Sequence, residues 1–210
     1  MRLYALPPKA IFTPLNTFQM KPTNKLLGIF GMLAAPFLSF QMMCGQAADA
    51  YNTSLGGVFD LIYMCGWMCS VFGLKRLQMM GKSNNLLCNI QLVLLSVANV
   101  WNVWVIFDPN NNTTLFFVLD MFWPLSNLFM LVLGIVIAVK GTVKGWRRYV
   151  VLTVGLWLPF ALATSMLFGR DKHFAYYPGA AYSILAWITL GWFIYISEQM
   201  YPAKRKLAFQ

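Results

Sequence analysis

Residues 115–139 read LFFVLDMFWPLSNLFMLVLGIVIAV, twenty-five positions holding one charged side chain, Asp120, and no base. A helix crossing the hydrocarbon core of a bilayer takes about 20 apolar residues, with a range of about 17–25. A barrel strand would instead alternate apolar and polar residues over about ten positions. An unbroken apolar run of this length therefore reads as a transmembrane helix, because only a helix satisfies its own backbone groups away from water.

Five further runs have the same character: Leu26–Cys44, Ser54–Leu74, Leu86–Phe107, Tyr149–Phe168 and Tyr177–Ser197. The composition of the 210-residue chain agrees, with 59% hydrophobic residues, 10% charged residues and a mean hydropathy of +0.61. A soluble domain carries about 25% charged residues, so an ordinary cytosolic enzyme and a disordered tail are both excluded. The expectation is an all-α integral membrane protein, a bundle of six transmembrane helices. Residues 1–25 form a flexible basic arm with Pro7, Pro8, Pro14 and Pro22, residues 26–200 the membrane domain, and residues 201–210 a short basic tail. Met20 opens a stretch resembling a start site, so the first nineteen residues read as a candidate extension.

Charge orients the spans. Fourteen of the sixteen Lys and Arg residues fall in the arm, the second and fourth connections and the tail, while Arg170 and Lys172 stand alone opposite them. Basic residues stay on the cytoplasmic side, which places both termini in the cytoplasm and the chain in the cell membrane. The net charge of +10 is then a topology signal with an affinity for anionic lipid at the cytoplasmic face, and nucleic acid is not needed to explain it. Trp101, Trp104, Tyr176 and Tyr177 are expected at the outer headgroup level, and Trp146, Tyr149, Tyr195 and Tyr201 at the inner one. A competing reading makes the first run a signal peptide cleaved near Ala48-Asp49-Ala50. That run exceeds the 7–15 residues of an ordinary signal core and ends several residues early.

Residue content removes several chemistries. His173 is the only histidine, so no bis-histidine haem is available. No lysine lies inside a span to carry a retinal Schiff base, and the chain lacks a G-x-x-x-x-G-K-[ST] loop. No cofactor is expected. Cys65 and Cys69 share a face but match neither a redox nor a zinc spacing; they, Cys44 and Cys88 read as small packing residues. Asn52-Thr53-Ser54 and Asn111-Asn112-Thr113 fit the glycosylation sequon.

Two acids lie within the spans, Asp60 and Asp120. An Asp at the membrane centre costs about 2.5–3.5 kcal/mol, so such residues turn toward a bundle interior or cavity. At 1.5 Å per residue, Asp60 and Asp120 lie about 9 and 7.5 Å below the outer ends of their spans, and Asn99 and Asn102 about 12 and 7.5 Å. Ser39, Gln41, Thr164, Ser165, Tyr182 and Ser183 belong to the same level. Helical spacing sets Asn89, Ser96, Asn99 and Asn102 on one stripe, Asp60, Tyr63 and Trp67 on a second, and Asp120, Trp123 and Asn127 on a third.

Pro124 cannot donate to the carbonyl of Asp120, so Asp120 is expected to present two kinds of acceptor oxygen at a kink. Pro36 and Pro159 act likewise on Met32 and Gly155. Gly66/Ser70, Gly134/Ala138 and Gly179/Ser183 are expected to mark close helix approaches.

The candidate site is therefore Asp60, Asp120, Asn99, Asn102, Tyr63, Trp123 and Asn127, a site in the outer half of the bundle for binding or transporting a small molecule, cation or proton. Broken helices hold ions in this way in transporters built from inverted repeats. The nearest internal echo pairs Pro36-Phe37-Leu38-Ser39 with Pro124-Leu125-Ser126. Two alternatives stand beside it. One is a non-catalytic scaffold or accessory subunit whose polar cluster only holds helices together. The other is an intramembrane enzyme using an Asp pair, although the Tyr-Asp and Gly-x-Gly-Asp signatures of intramembrane aspartyl proteases are absent, Phe59 and Leu119 preceding the acids.

Overall fold

The computed structural model describes residues 23–47, 52–77, 81–140, 145–168 and 176–200. Most of the N-terminal arm, the C-terminal tail, Ala48-Asp49-Ala50 and His173 lie outside these. The described chain is helical throughout: α1 (Asn24–Ala34), α2 (Phe37–Ala47), α3 (Ser54–Arg76), α4 (Gly81–Phe107), α5 (Thr114–Asp120), α6 (Phe122–Lys140), a 3-10 turn (Gly145–Tyr149), α7 (Val150–Gly155), α8 (Trp157–Phe168) and α9 (Tyr176–Met200).

Threonine starts three of these helices. The hydroxyls of Thr23, Thr53 and Thr113 accept from the backbone N–H of Leu26, Gly56 and Phe116 at 3.3, 2.9 and 3.4 Å. Each satisfies a donor that the first helical turn leaves over. The cap at Thr23 starts α1 two residues ahead of the expected Leu26.

Proline sets the interruptions. The helix breaks at Ala35–Pro36, at Met121 and at Leu156, ahead of or at Pro36, Pro124 and Pro159, where the missing N–H and the ring disturb the preceding turn. At the first break the Met32 carbonyl accepts from the N–H of Ala35 at 3.3 Å, so a tighter bond replaces the lost one. The first two breaks leave apolar stretches long enough to cross a membrane, Asn24–Met43 and Thr114–Lys140. The third bends Gly145–Gly155 against Trp157–Phe168 by 55°. The run read as one span over Tyr149–Phe168 is therefore a bent pair. Among the described residues five helices are long and apolar enough to cross a membrane, or six with the bent pair counted as one.

The helices pack in chain order around a ring. The α1/α2 segment lies between α3 and α9, α3 meets α4, α4 meets α6, α6 meets α7, and α7 and α8 return to α9. Glycine makes the closest crossings. A Cβ on Gly66 would stand 2.1 Å from that of Ala34, and one on Gly134 would stand 2.5 Å from the Leu152 Cα. Gly28 and Gly191 meet backbone to backbone between α1 and α9. Gly179 has no such crossing, its nearest neighbour being the Ala161 Cβ at an ordinary 3.9 Å.

Trp67, Trp157, Trp187, Met130, Leu133, Leu190 and Phe193 fill the centre, while Leu33, Leu86, Val93, Val118, Val139, Met166 and Leu185 stand exposed outside. Helices apolar on every side suit lipid and not water. Trp146, Tyr149 and Tyr177 are exposed, as headgroup anchors would be. Trp101 is not: it is buried with Val105 and Phe116 in a small second core between α4 and α5.

Candidate functional site

Asp60 sits in the second turn of α3 and Asp120 is the last residue of α5, where the Pro124 interruption ends that helix. Both side chains are half-buried, and the two carboxyl groups are close enough to act on each other electrostatically. Tyr63, one turn below Asp60, also lies in its field. The structure thus brings both acids and Tyr63 to one place.

The helix α4 supplies the next wall. Gly57 packs on Val105 and Ile106, which sets Asp60, one turn further along α3, level with Asn102, one turn back along α4. The Asn102 amide donates to Asn99 Oδ1 at 3.0 Å, and the Asn99 amide donates to Met68 Sδ at 3.2 Å. This chain ties α4 to α3 and fixes which way both amides face. On the other side of α4, Trp101 and Trp104 pack on Phe116, at ring separations of 5.5 and 5.9 Å, one turn before Asp120.

The other two candidates stand lower. Trp123 is half-buried and meets Trp157 edge-to-face at 5.3 Å. Asn127 is fully buried, and its amide donates to the Trp123 carbonyl at 3.0 Å while its Oδ1 has no partner. Both belong to the packed interior of α6.

The hydroxyls of the wider polar level are taken up by backbone carbonyls. Ser39 and Ser183 both donate to the Ala180 carbonyl, Thr164 and Ser165 to that of Ala161, and Tyr182 to that of Thr153. Ser39 and Tyr182 thereby join neighbouring helices, while Ser183, Thr164 and Ser165 bond the preceding turn of their own helix. Asn89 and Ser96 are exposed, so the four-residue stripe of α4 reduces to Asn99 and Asn102.

The polar side chains that the stripes overlooked are Asn24 and Gln91. Both are fully buried, and neither amide atom of either has a partner. Tyr63 Oη, Trp67 Nε1, Trp187 Nε1 and Ser70 Oγ share that condition. A buried polar group left so costs about 1–3 kcal/mol. Gln91 interrupts an apolar run, a signal legible in sequence; Asn24 fell in the stretch read as arm.

Among the described residues no three His, Cys, Asp or Glu side chains gather as a metal site would require. A groove of about 330 Å³ lies beyond the acids, lined by Asn52, Pro109, Asn110, Asn111, Asn112, Phe116 and Phe117. There Asn111 donates to Asp108 Oδ2 at 2.8 Å and accepts from the Thr113 N–H at 2.9 Å and hydroxyl at 2.6 Å.

What the arrangement offers chemically is two carboxylates, amide oxygens and a phenol, acceptors in the main. Comparison with protein families, with curated proteins and with solved structures finds no match for the chain.

Proposed function

We propose that this chain is a six-span protein of the cell membrane, both ends cytoplasmic, whose acid pair binds a small cation or proton and passes it across the bilayer. The carrying observation is the placement of two half-buried acids inside the apolar spans on separate helices, Asp60 on α3 and Asp120 at the Pro124 break that ends α5. Acids held in a medium of low dielectric repel one another when both are ionised, and a cation or proton bound at the pair relieves that repulsion. Asn99, Asn102 and Tyr63 complete the acceptor surroundings, and Trp123 and Asn127 stabilise the break beneath Asp120. The exposed Trp146 and the Arg148 guanidinium, 4.6 Å from the Tyr149 ring centre, suit an inner headgroup layer containing anionic lipid.

The test is flux into vesicles reconstituted with the protein, under an imposed proton or alkali-cation gradient. Wild type is expected to dissipate the gradient, and Asp60→Asn and Asp120→Asn each to abolish that dissipation. Wild-type vesicles as tight as empty ones, or unchanged flux in both variants, would remove the proposal.

A second reading is a scaffold whose polar groups only join helices. It is favoured by the hydroxyls of Ser39 and Tyr182, which cross from one helix to a backbone carbonyl of another. On that reading both Asn variants lose thermal stability in detergent and no flux exists to lose.

A further inference from the structure

Five of the buried side chains with an unpartnered polar atom fall in one seam. Tyr63, Trp67 and Ser70 follow Asp60 at three- and four-residue intervals, so all four share a stripe of α3. Ten residues of helix carry that stripe about 15 Å away from Asp60 along the axis. Trp187 of α9 closes on it, with its ring 5.3 Å from that of Tyr63 and 5.2 Å from that of Trp67.

Lower down, α1 takes over. A Cβ on Gly31 would stand 2.2 Å from Ser70 Oγ, and the pairs Gly31–Ser70 and Ala34–Gly66 show α1 running antiparallel to α3. Asn24, seven residues before Gly31, therefore lies about 10 Å further in the same direction. All five side chains are at most 1% exposed. Tyr63 Oη, Trp67 Nε1, Trp187 Nε1, Ser70 Oγ and both amide atoms of Asn24 lack a hydrogen-bond partner within the protein.

We propose that these five side chains line an internal file of water molecules leading from the acid pair toward the opposite end of the bundle, and that protons travel along it. Their chemistry selects the guest. An indole N–H only donates, whereas a hydroxyl and an amide both donate and accept. Water answers both kinds and is held by two to four polar neighbours. An anion would meet two acids and no base along the stripe. A proton advances by forming one O–H bond as the next is broken, the side chains orienting the waters and no electrons moving. The upper end of the file rests on the cation or proton reading of Asp60 and Asp120; the experiment does not.

The experiment follows the indole N–H signals of the full chain, labelled with 15N-tryptophan in lipid, after transfer to D2O. Trp157 is the internal control: it is equally buried, but its Nε1 donates to the Gly179 carbonyl at 2.9 Å. Trp67→Phe and Trp187→Phe identify their signals by loss, and sequential assignment of the wild type replaces either variant that fails to fold. Trp67 and Trp187 are expected to exchange at least about tenfold faster than Trp157. Exchange as slow as that of Trp157 overturns the file. Fast exchange in a wild type that carries no flux supports the file and overturns only the transport reading.

Discussion

Asp60 on α3 and Asp120 at the end of α5 lie close enough to feel one another's charge, although sixty positions and the whole of α4 separate them in sequence. Asp120 owes its place to the Pro124 interruption, which stops α5 at that residue. Asp60 owes its own to Gly57, whose lack of a side chain lets α3 close on Val105 and Ile106 of α4. The coupling therefore depends on backbone features as much as on the acids.

Replacing Gly57 with Leu should separate α3 from α4, because even a Cβ would stand 3.0 Å from Val105 and 3.1 Å from Ile106. Overpacking of this kind costs about 1–3 kcal/mol. The expected result is a lower midpoint of thermal unfolding in detergent together with reduced flux in vesicles.

Glycines at and away from the crossings should behave differently. Gly66→Ala places a methyl group 2.1 Å from the Ala34 Cβ and should destabilise by about 1–3 kcal/mol. Gly179→Ala meets only Ala161 at 3.9 Å and should stay within about 0.5 kcal/mol of wild type. Gly145→Ala touches nothing within 4 Å but must hold φ at +71°, a left-handed strain of about 1–2 kcal/mol. Thermal unfolding of the three variants side by side checks the order.

Two tryptophans of equal burial separate packing from hydrogen bonding. Trp157→Phe removes the indole N–H that donates to the Gly179 carbonyl, whereas Trp187→Phe removes an N–H without a protein partner. The first should cost about 1 kcal/mol or more beyond the second, measured again as loss of thermal stability.

Topology is checked by single cysteines in a background whose native cysteines are serine. Asn111→Cys should react with a membrane-impermeant maleimide added to intact cells. Trp146→Cys, exposed in the 3-10 turn that follows the far end of α6, should react only after permeabilisation. Labelling of both from outside would overturn the six-span arrangement.

The sequence displayed the elements more clearly than their faces. Hydropathy placed the start of α3 at Ser54 and the ends of α4 and α8 at Phe107 and Phe168, where the helices begin and end. Pro36, Pro124 and Pro159 announced the three breaks, because a missing N–H acts locally whatever surrounds it. Which side of a helix faces the interior was harder to see. When lipid and core are both apolar, periodicity loses the contrast that marks a buried face in a soluble protein. Asn89 and Ser96 were thereby grouped with Asn99 and Asn102 though they face outward, and Gln91, fully buried, passed unmarked. Trp101 misled for the same reason: a tryptophan near a span end suits a headgroup layer, yet Phe116 draws this one into a core.

Infrared difference spectroscopy of the protein in lipid, recorded as pH or an alkali cation is changed, observes the acid pair directly through its carboxyl C=O stretch. A carboxyl band is expected that responds to the change and is shifted or lost in both Asp60→Asn and Asp120→Asn, because each acid feels the other. A spectrum without a responding carboxyl band, or a band that one substitution removes and the other leaves untouched, would contradict that expectation.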